Sequence, residues 1–374
     1  MRHVTWIRVA GGIVMFGLTV ALGLYGVREA ATQPKAVTLK IQASWPPASL
    51  FTDNLKMFAE RIQKMSGGRV LIEALPAGAV VPAFEVVDAT HRRVIDGAHT
   101  WSGYLIGKHM AAVLFTGGPG GPFGMDLFDH LGWFYEGGGF ELYQEWYRDV
   151  LRMNVVGFPI LPFNPQALGW FKKPFKSWED VKGLKIRAVG MYAQMLKEAG
   201  AGVVSLPGGE IVPAAERGVI DAAEWCCPAE DIKLGFHQVW KYYYMPSLHE
   251  YTETGDLILN KAVWDALAPD LQEIFKAAAT DVYIRWWLRF TYENSVGLRE
   301  LEERHKVTIS RTPDAVLVKQ LELWDKIRER EAARDPFFKK VVESQRKYAS
   351  VVVPARRAMF PSYELAANYY WKKR

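Results

Sequence analysis

The sequence predicts an α/β protein of two lobes that share one long helix, and three observations predict it. Strand and helix patterns alternate from Val37 to about Leu259, a fifteen-residue segment recurs 125 positions later, and helical character runs unbroken from Pro269 to about His305. With 374 residues the chain has ample length to bury a core.

The alternation begins with Val37–Ala43, which reads as a strand, and Ser49 or Thr52 is placed to cap the helix that follows. Leu55, Phe58, Ile62 and Met65 repeat at helical spacing in that helix, and Gly67–Gly68 end it before a second strand over Arg69–Leu75. The order of elements predicts mainly parallel pairing. The repeat reads EVVDATHRRVIDGAH from Glu85 to His99 and EIVPAAERGVIDAAE from Glu210 to Glu224, with eight of fifteen positions identical. Each copy reads as a helix, a turn at Val-Ile-Asp and a strand, so His99 and Glu224 occupy corresponding places. An offset of 125 is too long for a solenoid and suits two equivalent lobes; the alternative is convergence on one favourable turn. Pro269 suits an early helix position, and the stretch to His305, interrupted only by Gly297, makes a rod of roughly 50 Å that can cross two lobes. A short strand at Val307–Ser310 and two or three helices from Pro313 complete the chain.

Composition is that of a globular protein, 49% hydrophobic and 23% charged. Of the formal net charge of +5, Arg2, Arg8, Arg28 and Lys35 against Glu29 contribute +3 ahead of the first strand. No basic block is interleaved with aromatics, which argues against a nucleic-acid partner, and Lys372–Arg374 reads as a solvated tail. Arg2 and Arg8 precede an apolar run from Val9 to Val27, so residues 1–34 read as an export signal or, in the alternative, a retained N-terminal membrane anchor. Either reading puts the body, residues 35–374 with its repeat copies at 85–99 and 210–224, outside the cytoplasm. The two cysteines, Cys226 and Cys227, are adjacent and offer neither a disulfide framework nor metal-ligand spacing, so they read as two small buried apolar residues.

Enzyme motifs are missing: no G-x-S-x-G, no phosphate loop and no H-E-x-x-H occurs. The Gly-rich runs Gly117–Pro122 and Gly137–Gly139 read as tight turns bordering a cleft. One constellation stands out. Asn164-Pro165-Gln166 lies in a loop before Leu168-Gly169-Trp170-Phe171, Lys182–Arg187 reads as a turn feeding a short strand that ends in a cation, and Glu224-Trp225 closes the second repeat copy. An arginine at a strand end can hold a carboxylate through two parallel hydrogen bonds, unless it lies exposed on a sheet edge.

The segment FKSWEDVKGLKIR, from Phe175 to Arg187, resembles the signature of solute receptors of tripartite ATP-independent periplasmic (TRAP) transporters, and GVIDAAEW, from Gly218 to Trp225, resembles a second signature of that family. Leu75–Gly78, Gly169–Phe171, Leu234–Phe236 and Lys241–Tyr244 are most similar to the branch that binds 2-oxo and 2-hydroxy monocarboxylates, and the resemblance extends over nearly the whole chain from Val37. It implies a two-lobed periplasmic-binding-protein-like fold with a long helix spanning both lobes. It implies a periplasmic receptor that takes a small carboxylate such as pyruvate or lactate and delivers it to membrane permease subunits, with no catalytic residue. By position, Arg187 binds the ligand carboxylate, and Gln166, Glu224 and the Trp225 carbonyl hold a metal cation, Na⁺ or Ca²⁺, with Glu250 at a further ligand position. Tyr104 and Trp45 become aromatic walls of the substrate site, to which Gln166 and Trp225 also belong, while Pro162 and Gly103 stand where bulkier or polar residues are expected. A homodimer through the C-terminal helices is implied as well, with Phe337, Phe338, Met359, Phe360 and Tyr369–Trp371 supplying apolar surface.

The electrostatics agree with a metal: Glu224 and an anionic ligand against a single Arg187 leave one negative charge uncompensated in a dry cleft. Two other readings stay open: a metal-assisted periplasmic lyase or isomerase with Glu224 as base, which lacks a second proton-transfer partner, and a ligand sensor that keeps Val9–Val27 as its anchor.

Overall fold

The structure, a computed structural model, describes residues 36–371. The export segment read at residues 1–34 and the tail read at Lys372–Arg374 lie outside the described residues; among those described, no helix is long and apolar enough to cross a membrane.

Among the described residues, eleven strands form two sheets. The first contains, from edge to edge, β2 (Val70–Leu75), β1 (Val37–Ala43), β3 (Gly97–Thr100), β10 (Thr254–Asn260) and β4 (Val155–Pro162). The second runs β11 (Thr308–Arg311), β9 (Tyr242–Met245), β5 (Gly169–Phe171), β8 (Ala222–Ala223), β6 (Lys185–Arg187) and β7 (Gly202–Val204). Each sheet is the centre of one lobe.

Pairing is mixed, not mainly parallel as the order of elements predicts. β1 and β3 are parallel, as are β6 with β7 and β8, but β10 and β5 run antiparallel to both of their neighbours. The physical reason is that the chain passes between the sheets twice along strands, from β4 into β5 and back from β9 into β10. The two passes pair with each other in both sheets, and opposite travel makes those pairs antiparallel.

Helix α1 (Leu50–Met65) starts at Ser49, whose side chain accepts the Phe51 N–H, and buries Leu55, Phe58 and Ile62 against the first sheet's core. Helix α2 (Val86–His91) leads into β3, and α3 (Gly208–Glu216) leads into β8. The turns between them match. Arg93 and Gly218, 125 positions apart, both have positive φ, at 59° and 72°. The Val94 N–H donates to the Ala89 carbonyl and that of Val219 to Ala214, each at 2.9 Å. The next strand is caught alike, Asp96 N–H on the Lys40 carbonyl and Asp221 N–H on that of Lys185. The same sequence therefore builds the same helix, turn and parallel strand pair in each lobe.

Helix α4 (Pro228–Lys233) follows β8 and packs on α5 (Pro269–Glu303), the 35-residue helix expected to span the lobes. That helix lies against α1, β4 and α4, so it touches elements of both lobes, burying Leu271, Phe275, Val282, Trp286 and Phe290 on one face. Gly297 is required there, because a Cβ would stand 2.8 Å from the Ala229 nitrogen. Asn294 of the same helix accepts from the Ala229 N–H and donates to Asn164, fixing the start of α4 and the first crossover together. Three helices are the last of the described elements: α6 (Asp314–Arg334), α7 (Pro336–Met359) and α8 (Tyr363–Tyr370). Phe338 is buried, but Met359, Phe360, Tyr369, Tyr370 and Trp371 are exposed.

Candidate functional site

The two crossovers meet at the centre of the molecule. Gln166 lies in the first, between β4 and β5, and Glu250 in the second, between β9 and β10. They are joined by their backbones: the Gln166 N–H donates to the Glu250 carbonyl and the Ser247 N–H to the Gln166 carbonyl, both at 3.1 Å. From the second lobe, β6 ends at Arg187 and β8 runs into Glu224 and Trp225, with the Glu224 N–H on the Arg187 carbonyl at 3.1 Å. From the first, Trp45 follows β1 and Tyr104 follows β3. All seven residues singled out in the sequence, namely Trp45, Tyr104, Gln166, Arg187, Glu224, Trp225 and Glu250, line one pocket with about 310 Å³ of empty space, its mouth included. Phe51, Trp101, Phe163 and Val189 complete the wall. These four carry no sequence signal that separates them from ordinary core residues.

Arg187 is 1% exposed and sits in a strand flanked by β8 and β7, so it is no edge arginine. Its Nη1 donates to the Glu224 carbonyl at 2.6 Å and to Glu224 Oε2 at 3.2 Å, and Nε donates to the Leu206 carbonyl. The guanidinium lies over the Trp225 ring, 4.9 Å from its centre. Nη2 has no partner. Burial pushes the Glu224 carboxyl up to about 7, although the nearby Arg187 pulls the other way. Glu250 stands well above the usual carboxylate range, first through burial and then through the charges of Glu224 and Glu253. The Tyr104 hydroxyl, pushed up to about 12 by burial, accepts the Trp45 indole N–H at 3.3 Å.

Three buried oxygens in this pocket also lack any partner among the described residues: Oε1 of Gln166, of Glu224 and of Glu250. Leaving such groups bare costs roughly 1–3 kcal/mol each, more when charged. Oxygen donors from carboxylates and an amide suit a hard cation. Glu224, Glu250 and His249 each bring a ligand atom within 4.8 Å of the others. His249 lies beside Glu250 in the chain, and its sequence pattern carries no metal-ligand spacing. Burial holds it neutral, down at about 3; its Nδ1 meets Ser247 Oγ at 2.6 Å and its ring stacks on Tyr192.

Trp101 explains why Gly103 stands where a larger residue is expected. A Cβ on Gly103 or on Gly190 would overlap the Trp101 indole, so the two glycines seat it in the pocket wall. Its Nε1–H donates to Glu253, which fixes the ring plane. Pro162 ends β4, paired with Thr254, and is not in the wall. Three other expectations need correction. Cys226 and Cys227 are not two free apolar residues but form a buried disulfide with each other. The Gly117–Pro122 turn does not border the pocket; its Gly120 N–H donates to the Leu248 carbonyl and so braces the second crossover. Gly137–Gly139 packs instead against Trp133.

Residues 41–330 match the model of a family described as bacterial extracellular solute-binding protein, family 7 (DctP). The chain belongs to that family. A relative from Nostoc sp., a monocarboxylate 2-oxoacid-binding periplasmic protein, is 34% identical over 332 residues, 89% of each chain. A TRAP transporter solute-binding protein from Bordetella bronchiseptica, solved as a mixed-occupancy dimer with calcium and picolinate, is 29% identical and superposes with a TM-score of 0.82 over 90% of this chain and 97% of its own. Another from Pseudoalteromonas atlantica, solved with sodium and pyruvate, is 29% identical with a TM-score of 0.81, covering 90% of this chain and all of its own. The two sheets and spanning helix are thus the two-lobed architecture of TRAP solute-binding proteins. Members of the DctP family are solute-binding receptors, not enzymes.

Proposed function

We propose that this DctP protein is the periplasmic receptor of a TRAP transporter, exported by its first 34 residues, and that it captures a small 2-oxo or 2-hydroxy monocarboxylate, such as pyruvate or lactate, together with Na⁺ or Ca²⁺. The observation that carries the reading is the set of four unpartnered buried atoms lining one pocket: Nη2 of Arg187 and Oε1 of Gln166, Glu224 and Glu250. Arg187 Nη2 is a donor for the ligand carboxylate, and the three oxygens, with the Trp225 carbonyl, are donors to the cation. The bound cation supplies the positive charge that lets a carboxylate ligand and Glu224 share one dry cleft. With Glu224, Glu250 and the ligand ionised against Arg187, the site carries two uncompensated negative charges, which Ca²⁺ balances. If Glu250 keeps a proton, as its burial favours, Na⁺ balances the remainder.

Trp45, Trp101, Tyr104 and Phe51 leave little space beyond the polar end, which favours a short acid over a long or branched one. The occupied receptor hands its ligand to membrane permease subunits, and the exposed apolar residues from Met359 to Trp371 support a homodimer through the C-terminal helices. The test is a thermal-shift screen of purified protein with calcium or sodium present. Pyruvate, lactate and 2-oxobutanoate should raise the unfolding temperature and C4 dicarboxylates should not. No shift with any 2-oxo or 2-hydroxy acid would overturn the assignment.

A further inference from the structure

Glu230 lies outside the pocket wall, on α4 of the second lobe, and is fully buried. Its carboxylate accepts from Ser49 Oγ at 2.6 Å and from the Leu50 N–H at 2.8 Å, at the start of α1 in the first lobe. Its Oε1 also accepts from the Trp225 indole N–H at 3.2 Å. A carboxylate at the first turn of a 16-residue helix meets unpaired N–H groups and the positive end of the helix dipole. One side chain therefore ties the first lobe to the second, using each of its two oxygens as an acceptor at the start of α1.

The third bond leads to the ligand site. Trp225 lies under the Arg187 guanidinium and stacks on Phe51, the second residue of α1, with ring centres 6.3 Å apart. On its other side a Cβ at Gly208 would come within 2.5 Å of the indole, so the ring is held between α1 and α3. The position of Trp225, and of the arginine over it, is thus set partly from the opposite lobe.

We propose that Glu230 is a positioning residue that latches the lobes together over the occupied pocket. The proposal rests on the receptor function proposed above, in which two lobes joined by two crossovers and one long helix close on the ligand as a hinge. When the lobes part, Ser49 and Leu50 leave Glu230, which then keeps only Trp225 and water. The latch stabilises the closed complex alone, so it slows ligand escape and leaves ligand entry and the free protein's stability nearly unchanged.

The test uses pyruvate with calcium and the full mature protein, following tryptophan fluorescence in a stopped-flow instrument. Glu230→Gln keeps the size and removes the charge. It should raise the dissociation rate about tenfold or more, with the association rate within about threefold of wild type. Thermal unfolding of the ligand-free variant should match wild type, whereas that of the complex should fall. Ser49→Ala also removes the cap of α1, so it lowers ligand-free stability in either background, yet it should add nothing to the dissociation rate once Glu230→Gln is present. An unchanged dissociation rate, or an equal loss of stability with and without ligand, would overturn the latch. If wild type does not bind pyruvate, the substrate reading fails alone, and the same comparison is made with picolinate.

Discussion

In the first copy of the repeat the turn at Arg93 feeds β3, and in the second the turn at Gly218 feeds β8, with the same backbone bonds to the neighbouring parallel strand. Beyond that point the copies part. The first leads to Trp101 and Tyr104, and its His99 points into the core, bonded to Asn54 at 2.8 Å and packed against Trp45. In the second copy Glu224 takes the place of His99 and faces Arg187 across 3.2 Å. The first lobe supplies shape and the second supplies charge. One scaffold has been used twice, and the division of labour is carried by the few residues at the strand ends.

The largest effect that would break this comparison is Arg187→Ala. Removing the charged partner from a buried site should weaken pyruvate binding by about 2–5 kcal/mol while the fold survives. Calorimetry showing near-normal affinity would mean that charge is not the second lobe's contribution.

His99 and Glu224 differ in pH behaviour for the same physical reason. Burial disfavours either charge, lowering His99 to about 3 and raising Glu224 to about 7. In the unfolded chain His99 titrates near 6.5, so as pH falls from there toward 3 the unfolded state takes the proton first and stability is lost. Between pH 7 and pH 4 this amounts to roughly 3 kcal/mol. His99→Gln should be less stable than wild type at pH 7, and the gap should narrow or reverse by pH 4. Denaturant melts at the two pH values measure it; a gap independent of pH would contradict a neutral buried imidazole.

Gly103→Ala probes the shape-giving lobe. The new methyl overlaps the Trp101 ring, and overpacking of this kind costs about 1–3 kcal/mol. The loss should appear as weaker ligand binding with a smaller fall in ligand-free stability. The smallest effects concern the shared turn. Gly218 has open space around it and positive φ, so Gly218→Ala should cost about 1 kcal/mol, whereas Arg93→Gly should be neutral or stabilising by a few tenths. A loss of the same size from both changes would mean that the turns are not energetically equivalent.

Much of this was legible in the chain. The repeat, the spanning helix from Pro269 and the cluster of Gln166, Arg187 and Glu224-Trp225 each rest on local pattern or on a contiguous signature. What stayed hidden depends on contacts between distant segments. Strand direction in β5 and β10 follows from the two crossovers, which no local pattern marks. Trp101 and Phe51 resemble core aromatics until Gly103, Gly190 and Trp225 are brought against them. Glu230 reads as an ordinary carboxylate on a helix, because Ser49 is 181 residues away. Adjacency of Cys226 and Cys227 gives no sign of the bond between them, because a pair of small buried residues has the same sequence signal.

The central claim is that the charged lobe takes up a cation and a carboxylate together. The direct measurement is calorimetric titration of pyruvate into protein stripped with a chelator and exchanged into buffer free of sodium and calcium, repeated with each cation restored. Coupling between the two ligands is reciprocal, so at least one cation should tighten pyruvate binding tenfold or more, and pyruvate should tighten that cation by the same factor. Glu224→Gln should lose most of that gain. Equal wild-type affinity for pyruvate in all three buffers would contradict the claim and leave Glu224 without its proposed role.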